Sequence, residues 1–147
     1  MTTFGAGKAI FAGLAGTVAM TALMLVAPAM GLPPMNIGAM LGSVMGGSEP
    51  LGWIAHFIVG AILALAFAAL FARRLPGPWP VRGMAYAVVP WLAAQLVVMP
   101  MMGAGFFSGS LAAAVGSLMG HLVYGAVLGA VYGAQGREEA IAVAPGR

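Results

Sequence analysis

Charged side chains interrupt this chain at four places only: Lys8, Glu49, the segment from Arg73 to Arg82, and the tail from Arg137. The stretches between them, residues 9–48, 50–72 and 83–136, carry no charge and are dominated by apolar residues. A membrane-spanning helix needs about 20 mostly apolar residues. The pattern therefore predicts four spans, at about 8–30, 52–72, 84–102 and 109–134. The first run is longer than a signal-peptide core and lacks a small-x-small cleavage site before a polar start, so it is read as a retained helix. The expected fold is an all-α, four-helix transmembrane bundle forming a single membrane domain over 1–147.

The pattern also repeats. His56-Phe-Ile-Val-Gly-Ala61 returns as His121-Leu-Val-Tyr-Gly-Ala126, and Gly42-Ser-Val-Met-Gly46 as Gly116-Ser-Leu-Met-Gly120. Val26-Ala-Pro-Ala-Met-Gly31 returns as Val98-Met-Pro-Met-Met-Gly103. The order is conserved between the copies, so the bundle reads as two parallel two-helix repeats, about 8–72 and 83–136. Two helices per repeat restore the chain direction, so the halves should be related by an axis along the membrane normal.

The connections differ. Residues 31–52 are long and apolar, with Met35, Met40 and Met45 at five-residue steps. They predict a short extra helix that lies on the outer surface or dips in as a re-entrant turn, with Pro33 and Pro34 suiting its start. In the second copy, Ser110 to Gly120 should run directly into the fourth span. The segment Leu75-Pro-Gly-Pro-Trp-Pro80 is too proline-rich for helix, and its Trp79 would suit the lipid–water interface. The mixed-charge tail from Arg137 to Arg147 reads as a disordered end.

Composition and charge narrow the class. With 62% hydrophobic and 6% charged residues and a mean hydropathy of +1.02, the chain is no soluble domain. Its six basic residues all fall on one side of a four-span topology, which places both termini in the cytoplasm by the positive-inside rule. The net charge of +3 follows from that topology and is no nucleic-acid footprint. Without cysteine there is no disulfide and no thiolate metal site. Two histidines, no aspartate and no carboxylate beside a histidine leave nothing for a catalytic dyad, and no phosphate loop or dinucleotide fingerprint is present, so no enzyme is expected.

The histidines mark the candidate site. His56 lies 17 residues before Arg73 and His121 lies 16 before Arg137, which puts both about 24–26 Å from the cytoplasmic arginines. Equal depth and the repeat axis let the two imidazoles face each other. Gly60, Ala64 and Ala68 follow His56 at steps of four; Gly125, Gly129 and Gly133 follow His121. Such ridges serve close helix approach in lipid, but they also leave room for a flat ligand. The sharpest hypothesis is a bis-histidine haem b, with His56 and His121 as iron ligands and Gly60, Gly125 and Gly129 beside the macrocycle. The protein would then be an accessory or electron-transfer subunit of a membrane complex. Two alternatives stand beside it. The histidines bond each other or a neighbouring hydroxyl and only hold the helices together, making a structural or assembly protein. Or the chain is a small transporter acting as an oligomer, with outer methionines (Met30, Met35, Met40, Met45, Met99, Met101, Met102, Met119) and histidines serving copper. Gln95, with Thr17 and Thr21, is expected in interhelical hydrogen bonds. The partners are the bilayer and either another membrane protein or further copies of the chain.

Residues 31–37 (Gly-Leu-Pro-Pro-Met-Asn-Ile), Leu75-Pro-Gly-Pro78, 99–105 (Met-Pro-Met-Met-Gly-Ala-Gly) and Gly120-His-Leu-Val-Tyr-Gly125 carry a resemblance to a family of small four-span bacterial membrane proteins of unknown function. The resemblance covers nearly the whole span region. It implies a multi-pass protein of the bacterial cytoplasmic membrane and no particular activity.

Overall fold

The computed structural model describes residues 5–143, and the side chains of 5–136. Among them every regular element is helical: α1 (Ala6–Val26), α2 (Ile37–Ser43), α3 (Glu49–Ala66), α4 (Trp79–Ala93) and α5 (Leu111–Val143). A 3-10 turn, Ala27–Met30, extends α1. A π-helical turn, Phe67–Phe71, extends α3. A second π turn, Ala94–Val98, and the short helical turn Met99–Met101 extend α4. Four spans result, Ala6–Met30, Glu49–Phe71, Trp79–Met101 and Leu111–Gly136, each long and apolar enough to cross a membrane. Among the described residues, these four helices and the short α2 make up a multi-pass membrane protein.

Sequence explains most of the element ends. Pro50 and Pro80 sit in the first turns of α3 and α4, where a missing N–H costs nothing. The third span therefore begins at Trp79, inside the segment read as too proline-rich for helix, and not near residue 84. Pro33 and Pro34 do not start α2. Asn36 does, its side chain accepting a hydrogen bond from the Ala39 N–H at 2.9 Å. The tail expected to be disordered continues α5 as far as Val143, while residues 144–147 lie outside the described chain. As expected, α5 follows Ser110 without a separate surface helix.

Packing is by glycine. A Cβ on Gly13 would lie 2.8 Å from the Gly60 carbonyl, and one on Gly16 would lie 2.8 Å from the Tyr124 carbonyl. Thus α1 fits backbone-close against both α3 and α5. Gly83 on α4 and Gly125 on α5 oppose each other in the same way, and Gly129 and Gly133 receive Trp79. Trp79 is consequently a packing residue, half-buried against Tyr132 and covered by the Arg82 guanidinium at 4.9 Å. Gly38 and Gly42 seat α2 on α3 at Gly52 and Trp53.

One pair of neighbours is left ajar. At the end carrying the arginines, α3 and α4 meet through Tyr86, whose ring lies 5.4 Å from Phe67 and 5.0 Å from Phe71. Its hydroxyl donates to the Leu63 carbonyl at 2.8 Å. Toward the opposite end the two helices diverge around a cavity, and α2 lies across the opening.

Candidate functional site

The cavity holds about 220 Å³ and is lined by both histidines. His56, Val59, Gly60 and Leu63 form its α3 wall, and Ala94, Gln95, Val98 and Met99 the α4 wall. Behind them stand Thr17, Met20 and Met24 of α1 and Ser117, Gly120, His121 and Tyr124 of α5. Met35, Ile37, Met40 and Leu41, from α2 and the residues before it, close the end. The two imidazoles therefore share one cavity, as equal depth in the two repeats suggested.

Their proton positions follow from their partners. Thr21 gives its single hydroxyl proton to the Thr17 carbonyl at 2.7 Å. Its Oγ1 then accepts from His56 Nε2–H at 3.1 Å, so neutral His56 carries its lone pair on Nδ1. His121 Nδ1 lies 2.9 Å from the Ser117 carbonyl, which can only accept, so Nδ1 is the protonated nitrogen. Its Nε2 keeps an unshared lone pair, and no described residue donates to it. The two histidines do not bond each other. His56 is tied to α1, and His121 is braced by its own helix.

Gln95 completes the polar lining. Its Nε2 donates to Ser117 Oγ at 3.2 Å, and its Oε1 accepts from Ser108 Oγ at 2.9 Å. The expected interhelical role of Gln95 is thus observed. Two local distortions bring these groups together. The π turn, closed by Met99 N–H onto the Ala94 carbonyl, carries Gln95 and lies between Pro90 and Pro100. Phe107 and Ser108 both adopt left-handed backbone, with φ of 52° and 58°, a conformation that non-glycine residues reach only at a cost. That conformation holds the Ser108 hydroxyl at Gln95. On the other wall, Tyr124 donates to the Gly60 carbonyl at 2.7 Å and joins α5 to α3.

The glycines expected beside a macrocycle are already occupied. A Cβ at Gly60 would strike Thr17 Oγ1; one at Gly125 would strike Gly83 and Ala87; one at Gly129 would strike Trp79 and Gly83. Gly60 borders the cavity, but its missing side chain and those of Gly125 and Gly129 make room for neighbouring helices, so their smoothness serves helix contact. The cavity exceeds the roughly 150 Å³ void that admits a single benzene ring. A porphyrin, four pyrrole rings with the bridges between them, is several times too large. The residues present do not fit a haem b.

Of the methionines expected at the outer end, Met35, Met40 and Met99 line the cavity. Met30, Met45, Met101 and Met119 are exposed. Met20 and Met24 line it too and were not singled out by the sequence. They stand one turn apart on the α1 face that carries Thr17 and Thr21, a spacing visible once that face is known to point inward.

No curated protein and no solved structure matches the chain. A family model matches residues 5–143, almost its full length, and thereby agrees with the resemblance read from its motifs. The chain belongs to DUF6789, a family of unknown function.

Proposed function

We propose that this is a non-enzymatic membrane protein that receives a small guest in the cavity between α3 and α4. It would act as an accessory component of a membrane assembly, with both termini in the cytoplasm. One observation carries the proposal: a bundle whose helices meet backbone-close at glycines keeps open a 220 Å³ space, and the buried polar side chains Thr17, His56, Gln95 and Ser117 all line that space. Polar groups within a membrane are costly, so they mark functional positions by default. Among the described residues only short connections lie outside the helices, which supports a role within the bilayer. The arginine end bears the basic residues, which supports a cytoplasmic placement of that end and puts the cavity in the opposite half of the bilayer. The lining sets the guest's chemistry: a mostly apolar body, and one polar or electron-poor point that meets imidazole lone pairs.

Chlorobenzene, a single-ring probe, tests the site. In lipid nanodiscs it should raise the melting temperature of the wild type and leave Ala94→Phe, in which the new ring fills the cavity, unchanged. Equal shifts for both proteins would reduce the effect to partitioning into lipid and remove the basis of the proposal.

A further inference from the structure

We infer that the cavity is a Cu(I) site, held by the Nε2 of His121, the imidazole of His56 and methionine thioethers. This inference rests on the cavity being a binding site and names what binds there. Three observations converge. First, the hydrogen bonds fix both imidazoles with a lone pair available: His121 gives its Nδ1 proton to the Ser117 carbonyl, and His56 gives its Nε2 proton to Thr21. A backbone carbonyl on the remote ring nitrogen is the arrangement that orients a ligating histidine and raises its basicity. Second, five methionines from three separate parts of the chain converge on the same space: Met20 and Met24 from α1, Met35 and Met40 from around α2, and Met99 from the end of the third span. Third, no carboxylate accompanies them. Among the described residues there is no group of three or more His, Cys, Asp or Glu side chains.

Together these select the ion. Thioether and imidazole are the donors that suit Cu(I), whereas zinc, calcium and magnesium need thiolates, further imidazoles or hard oxygen ligands. Charge points the same way. The cost of moving an ion out of water grows with the square of its charge, and nothing in this cavity neutralises a divalent ion. A monovalent soft ion is the one cation these neutral donors can hold.

The experiment is anaerobic titration of the full chain in nanodiscs with Cu(I) acetonitrile complex against a chromophoric Cu(I) chelator. The wild type should withdraw one ion per chain, and X-ray absorption should show sulfur scatterers at the metal. His121→Ala should weaken retention by more than about tenfold, since it removes a ligand and not merely a group supporting one. The double variant Met20→Leu/Met99→Leu conserves side-chain volume and should fold, yet bind less Cu(I) and lose part of the sulfur signal. Zinc chloride should bind the wild type no better than it binds His56→Ala/His121→Ala. Failure to compete with the chelator, or unchanged uptake by the methionine variant, overturns the inference. If copper fails while chlorobenzene still stabilises the wild type alone, the cavity reading survives without the metal. If neither binds, both fall.

Discussion

Adding one methyl group at two glycines of the same helix should change stability in opposite directions. Gly125 and Gly136 both lie in α5. At Gly136 a Cβ meets nothing within 4 Å, so alanine there changes only helix propensity and should stabilise by up to about 1 kcal/mol. At Gly125 the same methyl would sit 2.7 Å from the Ala87 methyl and against the backbone of Gly83. Carbon atoms settle at about 3.5–4.0 Å, so α4 and α5 must part by roughly 1 Å. Overpacking of this kind costs about 1–3 kcal/mol. Backbone cannot swing aside as a side chain can, which places the cost in the upper half of that range. After the propensity gain, Gly125→Ala should lose about 1–2 kcal/mol.

The contact is reciprocal, and that supplies a sharper test. A methyl on Gly83 would strike the Gly125 carbonyl, just as one on Gly125 strikes Gly83. Once either methyl has pushed the helices apart, the other enters space already opened. The double variant Gly83→Ala/Gly125→Ala should therefore cost less than the sum of the singles, by about 1 kcal/mol. Unfolding in mixed detergent micelles, followed by circular dichroism, measures all four proteins. A Gly125→Ala protein as stable as Gly136→Ala, or strictly additive singles, would refute the close packing of α4 on α5.

Two further outcomes are expected. In a double-mutant cycle of Thr21→Val and His56→Phe, the coupling energy should be about 0.6 kcal/mol and no more than about 1.7, the range for side-chain hydrogen bonds within membranes; zero coupling would mean that the 3.1 Å contact does not join α1 to α3. Reporter fusions should place the loop from Arg73 to Arg82 in the cytoplasm and the residues around Gly46 on the other side, and the reverse result would turn the cavity toward the cytoplasm.

The spans were legible because each is a long apolar run, bounded by charges except between the third and fourth, where the uncharged stretch 83–136 is long enough for two. Their ends were less so, since proline is punctuation whose meaning depends on position. Pro80 lies inside the first turn of α4, whereas Pro33 and Pro34 stand outside α2, which Asn36 begins. The histidine pair was found through the repeat. Three features of its surroundings could not be. The π turn that carries Gln95 depends on how the backbone accommodates Pro90 and Pro100. The left-handed backbone that sets the Ser108 hydroxyl on Gln95 falls on Phe107 and Ser108, residue types that reach it only at a cost. Which methionines face inward depends on where α3 and α4 diverge. The glycine ridges left two readings open, helix contact or ligand room, and only the position of the opposite helix distinguishes them.

The repeat itself explains why the two histidines differ. Gly13 opposes Gly60 as Gly83 opposes Gly125, and Thr17 meets Gly60 as Ala87 meets Gly125, so at this depth the first and third spans correspond at an offset of 70 and the position equivalent to Thr21 is Trp91. The first repeat supplies a hydroxyl that engages His56 Nε2, and the second has an indole there, whose N–H donates to the Ala114 carbonyl at 3.2 Å. Polar groups from elsewhere serve the second half. Gln95 bonds Ser117, whose carbonyl holds the His121 ring by the opposite nitrogen. One imidazole is thereby fastened across helices through Nε2, while its counterpart keeps Nε2 open. A duplicated helix pair with two equivalent hydroxyls would have used both rings as struts. With Trp91 where a second threonine would stand, one ring is anchored across helices and the other is not, and that difference decides which nitrogen keeps the lone pair: Nδ1 in His56 and Nε2 in His121.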